Sequence, residues 1–258
     1  ALQDAVLLAI TGRVILGLGT SGRSVSENFH GIPYQKPLTR LRDTVGILRA
    51  LWRGERLAPE MSTLFQLRHF KLEMTPRRSD IPIYVASLQE KAIRDIGRMA
   101  DGWIPTFWPY RQLEDGIALL REGATEAGRA NTRIEVASFV GVVPLDDVGA
   151  ARALLKPLVS FYIGGMGVYY HALFCRYGFQ ENADRVRELY QAGDRTQAAA
   201  AVSDELIDAI AICGPAAYCR ERLAEWREHG LGSALLNLPT GVPPELTEQF
   251  LRTMAPRH

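Results

Sequence analysis

The feature that most constrains the fold is an alternation of two patterns. Short, nearly continuous apolar runs are separated by stretches of helical period, and no two of the runs are joined by a hairpin turn. Arg13–Leu18, Ile81–Ala86, Gly102–Thr106, Ile134–Val143 and Ser233–Leu238 read as five strands. Runs this apolar are buried on both faces, as parallel strands beneath helices are. Between them, Leu38, Leu41, Val45, Leu48 and Trp52 fall on one helical face, and Ala92, Ile96 and Met99 on another. Tyr110–Ala127 reads as a third helix. Past the long strand, Asp146 or Asp147 caps a helix through Val148, Ala151, Leu155 and Leu158. Helices at Asn182–Ala192, Thr196–Ile212, Ala216–Glu228 (opened by Pro215) and Pro243–Met254 complete the chain. Glu55–Arg78 has no helical period and reads as an excursion with a small hairpin of Phe65–Leu67 and Phe70–Leu72. The alternation predicts an α/β fold, one parallel sheet wrapped by helices, as a doubly wound sheet or a barrel. With no repeat or linker, residues 1–258 are expected to form a single domain.

The balance of charge excludes several function classes. Thirty basic and 29 acidic side chains leave a formal charge of +1, with no Lys/Arg block to follow a phosphate backbone. Nucleic acid is therefore not expected as a partner. Cys175, Cys213 and Cys219 form no CxxC pair, and the five histidines show no HExxH spacing. A reduced, cytoplasmic protein without a metal is expected. The apolar stretch from Ala5 to Ile10 is too short to span a bilayer. The chain opens without methionine at Ala1, already inside the helical pattern Leu2, Val6, Leu7 and Ile10, which suggests processing or truncation.

Gly17-Leu18-Gly19-Thr20-Ser21-Gly22 spells GxGxxG directly after a strand. A dinucleotide-binding fingerprint must open straight into a helix facing the pyrophosphate. Gly31, Pro33 and Pro37 are expected to forbid one for about fifteen residues. Asp43, near the right distance for a ribose acid, falls mid-helix rather than at a strand end. The motif then reads either as a site-building loop at the C-terminal end of a parallel strand or as a plain βα turn that needs glycine.

Two longer stretches carry a resemblance. RVILGLGTSG with ENFHGIPYQKPLTRLRDTVGILRALWRGE, over Arg13–Glu55, and DIPIYVASLQEKAIRDIGRMADGWIPT, over Asp80–Thr106, closely resemble the luciferase-like monooxygenase superfamily. The branch most resembled is the deazaflavin-dependent oxidoreductases, and GPAAYCRERLAEWREHGLGSALLNLP is similar to the family's usual ending. The resemblance implies a (β/α)8 TIM-type barrel whose fourth to eighth strands are present and whose first three are absent. At roughly thirty residues per βα unit, about ninety would precede Ala1. It further implies coenzyme F-420, a deazaflavin, as cofactor, with FMN as the alternative. The cofactor's phosphate is expected on Ala86, Ser87, Leu88 and Gln89, flanked by Thr106, and its ring or ribityl chain near Gly19, Thr20 and Ser21. Ser87 reads alternatively as a helix cap. Relatives acting on sugar phosphates carry an acid just after the glycine-threonine pair. Here Ser21, Gly22 and Arg23 stand there, which argues against that substrate.

The expected activity is hydride transfer between deazaflavin and a small organic substrate. The alternatives are an FMN-dependent monooxygenase and a non-catalytic partial barrel serving in an assembly. His30 is the one catalytic candidate, as a proton donor, although a loop histidine with a backbone bond is the plainer reading. Trp103, Phe107 and Trp108 read as pocket walls or as ordinary packing. Lys36, Arg40, Arg77 and Arg78 could meet the coenzyme's acidic tail or be scattered surface cations. Phe161–Tyr170 resembles a segment covering the barrel mouth, with Gly164-Gly165 either letting a lid flex or breaking a helix. Open strand edges predict a homo-oligomer.

Overall fold

A computed structural model describes residues 14–74, 78–239 and 241–255. The expected opening helix, Arg13 of the first strand and Arg77 lie outside the described residues. The chain divides into two compact units, Ala1–Ile104 with Asp115–Val136, and Pro105–Glu114 with Ala137–His258.

In the first unit the strands β1 (Leu16–Gly19), β2 (Ile83–Ala86) and β3 (Gly102–Ile104) lie side by side and parallel. Glu135 and Val136, which begin β4 (Glu135–Pro144), pair in parallel with Gly102 and Trp103. The strands are not buried on both faces as the apolar runs predict: in β2 Ile83 and Val85 are fully buried but Tyr84 is half-buried and Ala86 exposed, and no residue of β1, which among the described residues pairs with β2 alone, is buried. The helix α1 (Pro37–Trp52) turns Leu41, Val45 and Ala50 inward. In α2 (Glu90–Met99) Ala92, Ile93 and Ile96 do the same, while Glu90 in the first turn and Arg98 in the last complement the helix dipole. α2 meets α3 (Leu113–Glu126) backbone to backbone. A Cβ at Gly97 would run into Leu120 O, and one at Gly123 into Arg94 O, so only glycine lets the two helices come this close. Asp95 is buried on α2 and accepts hydrogen bonds from Arg42 at 2.7 Å and Arg98 at 2.5 Å.

In the second unit β4 continues and pairs in parallel with β5 (Ala211–Gly214) along Gly141–Pro144 and with β6 (Ser233–Asn237) along Ala137–Gly141. The helices are α4 (Val148–Gly165), α5 (Val168–Phe174), α6 (Gln180–Gln191), α7 (Arg195–Ala200), α8 (Asp204–Ile210), α9 (Ala216–Glu228) and α10 (Pro244–Met254). Asp147 caps α4 by accepting from Ala150 N at 2.9 Å.

Four further expectations change. Thr196–Ile212 is not one helix: Ser203 accepts from Leu206 N and restarts the chain as α8, and buried Ala211–Gly214 is a sixth strand. Glu55–Arg78 forms no hairpin of the expected residues. Among its described residues it holds a 3-10 turn at Pro59–Met61 and an antiparallel bridge between Leu57 and Phe70. Asp43 Oδ2 organises the segment, accepting from Ser62 Oγ at 2.6 Å, Thr63 N at 2.9 Å and Leu64 N at 3.0 Å. Gly164 and Gly165 lie within α4, where a Cβ at Gly164 would collide with Tyr190, so close packing is their reason. The helix instead ends before Gly167, whose φ is 82°. Finally, the segment after the glycine motif is not free of helix: Val25–Phe29 forms a π-helical turn.

The architecture is an α/β fold with parallel strands. Among the described residues, no single helix is long and apolar enough to cross a membrane, and α4 with Val168–Gln191 passes only as a pair bent by 116°.

Candidate functional site

The site is set by strand register within the first unit. β1 and β2 run parallel with Leu16 opposite Ile83 and Gly19 opposite Ala86. The chain therefore leaves both strands at the same end, and the turn beginning at Thr20 stands beside the turn beginning at Ser87. Ile104 lies opposite Ala86 on the far side of β2. The C-terminal ends of parallel strands are where such folds gather loops around ligands.

The β2 turn opens α2. Gln89 stands at the cap position with extended backbone, φ −99° and ψ 133°, and no side chain caps the helix. Ser87 Oγ reaches only Gln89 N, at 3.4 Å, so the capping alternative is weak. A first turn that no side chain caps presents N–H donors and the positive end of the helix dipole, which suits an anion. Glu90 stands at that turn, but its exposed carboxylate leans to Arg94, 3.6 Å away. The turn is fixed from below, since Trp103 Nε1 donates to Ser87 O at 2.8 Å. Trp103 is fully buried against Gly116, which makes it packing rather than a pocket wall.

The β1 turn is cross-linked by its own loop. Tyr34 Oη donates to Ser21 O at 3.2 Å and lies 3.4 Å from Thr20 Oγ1. Glu27 accepts from Tyr34 N at 3.1 Å and from Arg23 Nη1 at 3.0 Å. Ser21 holds φ 56° and Lys36 φ 46°, a left-handed backbone that costs a non-glycine residue roughly 1–2 kcal/mol. Such strain clusters where a loop's shape serves a ligand. Between these residues lies a cleft of about 230 Å³ whose walls include Gly19, Thr20, His30, Pro33, Tyr34 and Arg40. That is below the roughly 300 Å³ at which ligand pockets begin. It suits part of a cofactor or a small substrate.

The expected residues separate as follows. Gly19, Thr20, Ser21, Ala86, Ser87, Leu88 and Gln89 come together at the paired strand ends. His30 is on the cleft wall and its backbone N–H donates to Val25 O at 3.1 Å. Thr106 belongs to the second unit, where it bridges Phe139, and its role stays with the resemblance alone. Phe107 and Trp108 are buried there, Phe107 edge-on to Tyr162 at 4.8 Å. Asp43 is committed to the loop at Ser62, which removes it as a ribose acid. Arg40 lies 5.4 Å over the Phe65 ring and lines the cleft, whereas Arg78 pairs with Asp80. Sequence reasoning missed Tyr34; a tyrosine between Pro33 and Pro37, after a glycine loop, was the available signal.

The family model described as luciferase-like monooxygenase matches residues 3–233. A protein of Mycobacterium tuberculosis, provisionally named a coenzyme F420-dependent oxidoreductase, is 32% identical over 85% of this chain and 68% of its own length. The phthiodiolone/phenolphthiodiolone dimycocerosates ketoreductase of Mycobacterium bovis is 29% identical over 93% of this chain and 65% of its own. The chain thus spans about two thirds of these curated relatives. Among solved structures, the coenzyme F420-dependent tetrahydromethanopterin reductase of Methanopyrus kandleri superposes with a TM-score of 0.77 at 21% identity. The superposition covers 97% of this chain and 77% of that one and speaks for the fold alone.

Proposed function

Because the chain belongs to the luciferase-like monooxygenase family, we propose that it is an oxidoreductase that holds coenzyme F420 at the paired turns of β1 and β2. The observation that carries this reading is the parallel register that sets Gly19 beside Ala86. The cofactor's fit rests on this chain's own donors. The first turn of α2, with no side-chain cap, and the Ser87 hydroxyl would hold the phosphate. At Gly19 a Cβ would touch only Ala86 at ordinary distance, so no protein neighbour forces glycine there, and the missing side chain leaves room for a ring to approach. In the fold reading that accompanies this, one domain spans residues 1–258, and β1, β2, β3, β4 and β6 correspond to the fourth to eighth strands of a (β/α)8 barrel.

When bound, the deazaflavin supplies or accepts hydride, and the protein's part is orientation and electrostatics. Tyr34 keeps the Thr20–Ser21 turn in shape. His30, on the cleft wall, is the candidate to exchange a proton at the substrate. A ketoreductase and a tetrahydromethanopterin reductase among the similar proteins support an organic substrate carrying a reducible or oxidisable carbon.

Titration with coenzyme F420 and, separately, FMN, followed by cofactor fluorescence, tests the reading. Saturable binding of F420 with weaker binding of FMN is expected. Tight FMN binding without F420 binding would replace it with a flavin-dependent monooxygenase.

A further inference from the structure

Three ligand-type side chains meet in the second unit, on residues the proposed cofactor site does not use. α5 runs from Val168 to Phe174, and the chain continues through Cys175 to a kink at Gly178, which takes φ 91°. His171 and Cys175 are four residues apart, which sets them on one face of the helical run. The turn at Gly178 sends the chain back as α6, and this brings Asp184 against them. His171 Nε2 lies 2.7 Å from Asp184 Oδ1, and Cys175 Sγ lies 3.8 Å from either ring nitrogen of His171. One donor atom from each of the three side chains falls within 4.8 Å of the others.

We propose that His171 Nε2, the Cys175 sulfur and the Asp184 carboxylate bind one divalent ion of the zinc class, clamping α5 to α6, with water completing the tetrahedron. The donor set chooses the ion. Imidazole and thiolate favour zinc or cobalt over magnesium or calcium, which want oxygen alone. Around a tetrahedral ion with bonds of about 2.0–2.3 Å, ligand atoms stand roughly 3.3–3.8 Å apart. Sulfur and nitrogen already meet that spacing. The carboxylate must swing, withdrawing from the nitrogen by about half an ångström and closing on the sulfur from within 4.8 Å, which an Asp184 side chain 56% exposed is free to do, while His171 at 16% is held in place.

In the ion-free state a hydrogen bond joins His171 to Asp184 and a weak contact joins the Cys175 sulfur to the His171 ring. Burial pushes the Cys175 thiol pKa up, and the Asp184 carboxylate adds to the rise, so the thiol keeps its proton. A cation at the centre reverses both effects, and ligation releases the thiol proton to solvent. Arg187, on α6, places a positive charge near Cys175 and opposes the ion. The site is therefore expected to be moderate in affinity.

Cobalt titration of the purified chain, with a non-chelating reductant present, tests this. The wild type should show visible ligand-field bands of a tetrahedral ion and a near-ultraviolet thiolate-to-cobalt band, both displaced by zinc. Cys175→Ser should lose the near-ultraviolet band, and His171→Ala and Asp184→Asn should weaken binding at least tenfold, with circular dichroism confirming that each folds. If a variant does not fold, the wild-type spectrum decides by itself. Folded wild type without ligand-field bands at millimolar cobalt would overturn the proposal. So would a sulfur band that survives in Cys175→Ser, because Cys213 or Cys219 would then be its source.

Discussion

Asp43 illustrates how a single side chain is claimed by structure rather than by a ligand. Its Oδ2 gathers the Ser62 hydroxyl and the Thr63 and Leu64 amides into one turn. Burial raises its pKa, but the hydrogen bonds from Ser62, Thr63 and Leu64 outweigh that and leave it below the usual carboxylate value. A carboxylate with a lowered folded-state pKa contributes stability above its unfolded pKa of about 3.9 and loses it as pH falls through the folded value. Asp43→Ala should therefore cost about 1 kcal/mol in urea unfolding near neutral pH. The gap to wild type should close only below about pH 4. Ser87 gives the matching prediction for the site. Ser87→Asp puts a fixed negative charge at the first turn of α2, which should leave the fold intact and weaken F420 binding more than tenfold. Unchanged affinity would move the phosphate elsewhere.

At the scale of elements, the decisive contacts are those that only glycine permits. Gly97 and Gly123 each face the other helix's backbone, which cannot retreat as a flexible side chain can. Gly97→Ala should destabilise by about 1–3 kcal/mol through overpacking. Gly46, inside α1 with open space around it, should respond oppositely, Gly46→Ala stabilising by roughly 0.5–1 kcal/mol. Thermal unfolding of the two variants side by side checks both signs. Apolar period made α1 and α2 legible in the sequence because each buries one continuous face, and apolar runs made the strands up to β4 legible, although β1 buries none of its residues. β5 was hidden, since Ile212 and Cys213 continue the apolar pattern of α8 and only pairing with β4 distinguishes a strand there. The turns at Thr20 and Ser87 were legible as motifs, but their adjacency is a matter of register, which pairing fixes. Tyr34 and Asp184 were not legible, because the partners of each come from folding the chain back over 13 residues.

For the whole molecule, edges matter most. Among the described residues β1 pairs with β2 alone, and Ile15, Phe29 and Ile32 nearby are exposed apolar side chains. An unpaired edge beside apolar surface favours association. Light scattering of the purified chain should report a dimer or larger species, and a monodisperse monomer would count against that. The proposed site requires both turns to meet one cofactor. Amide chemical shifts followed on addition of coenzyme F420 examine this most directly. The amides of Gly19–Ser21 and of Glu90–Ala92 are expected to move together in one saturable event, while those around Arg42 and Arg98 stay still. Saturable binding that shifts other amides and leaves both turns silent would contradict it.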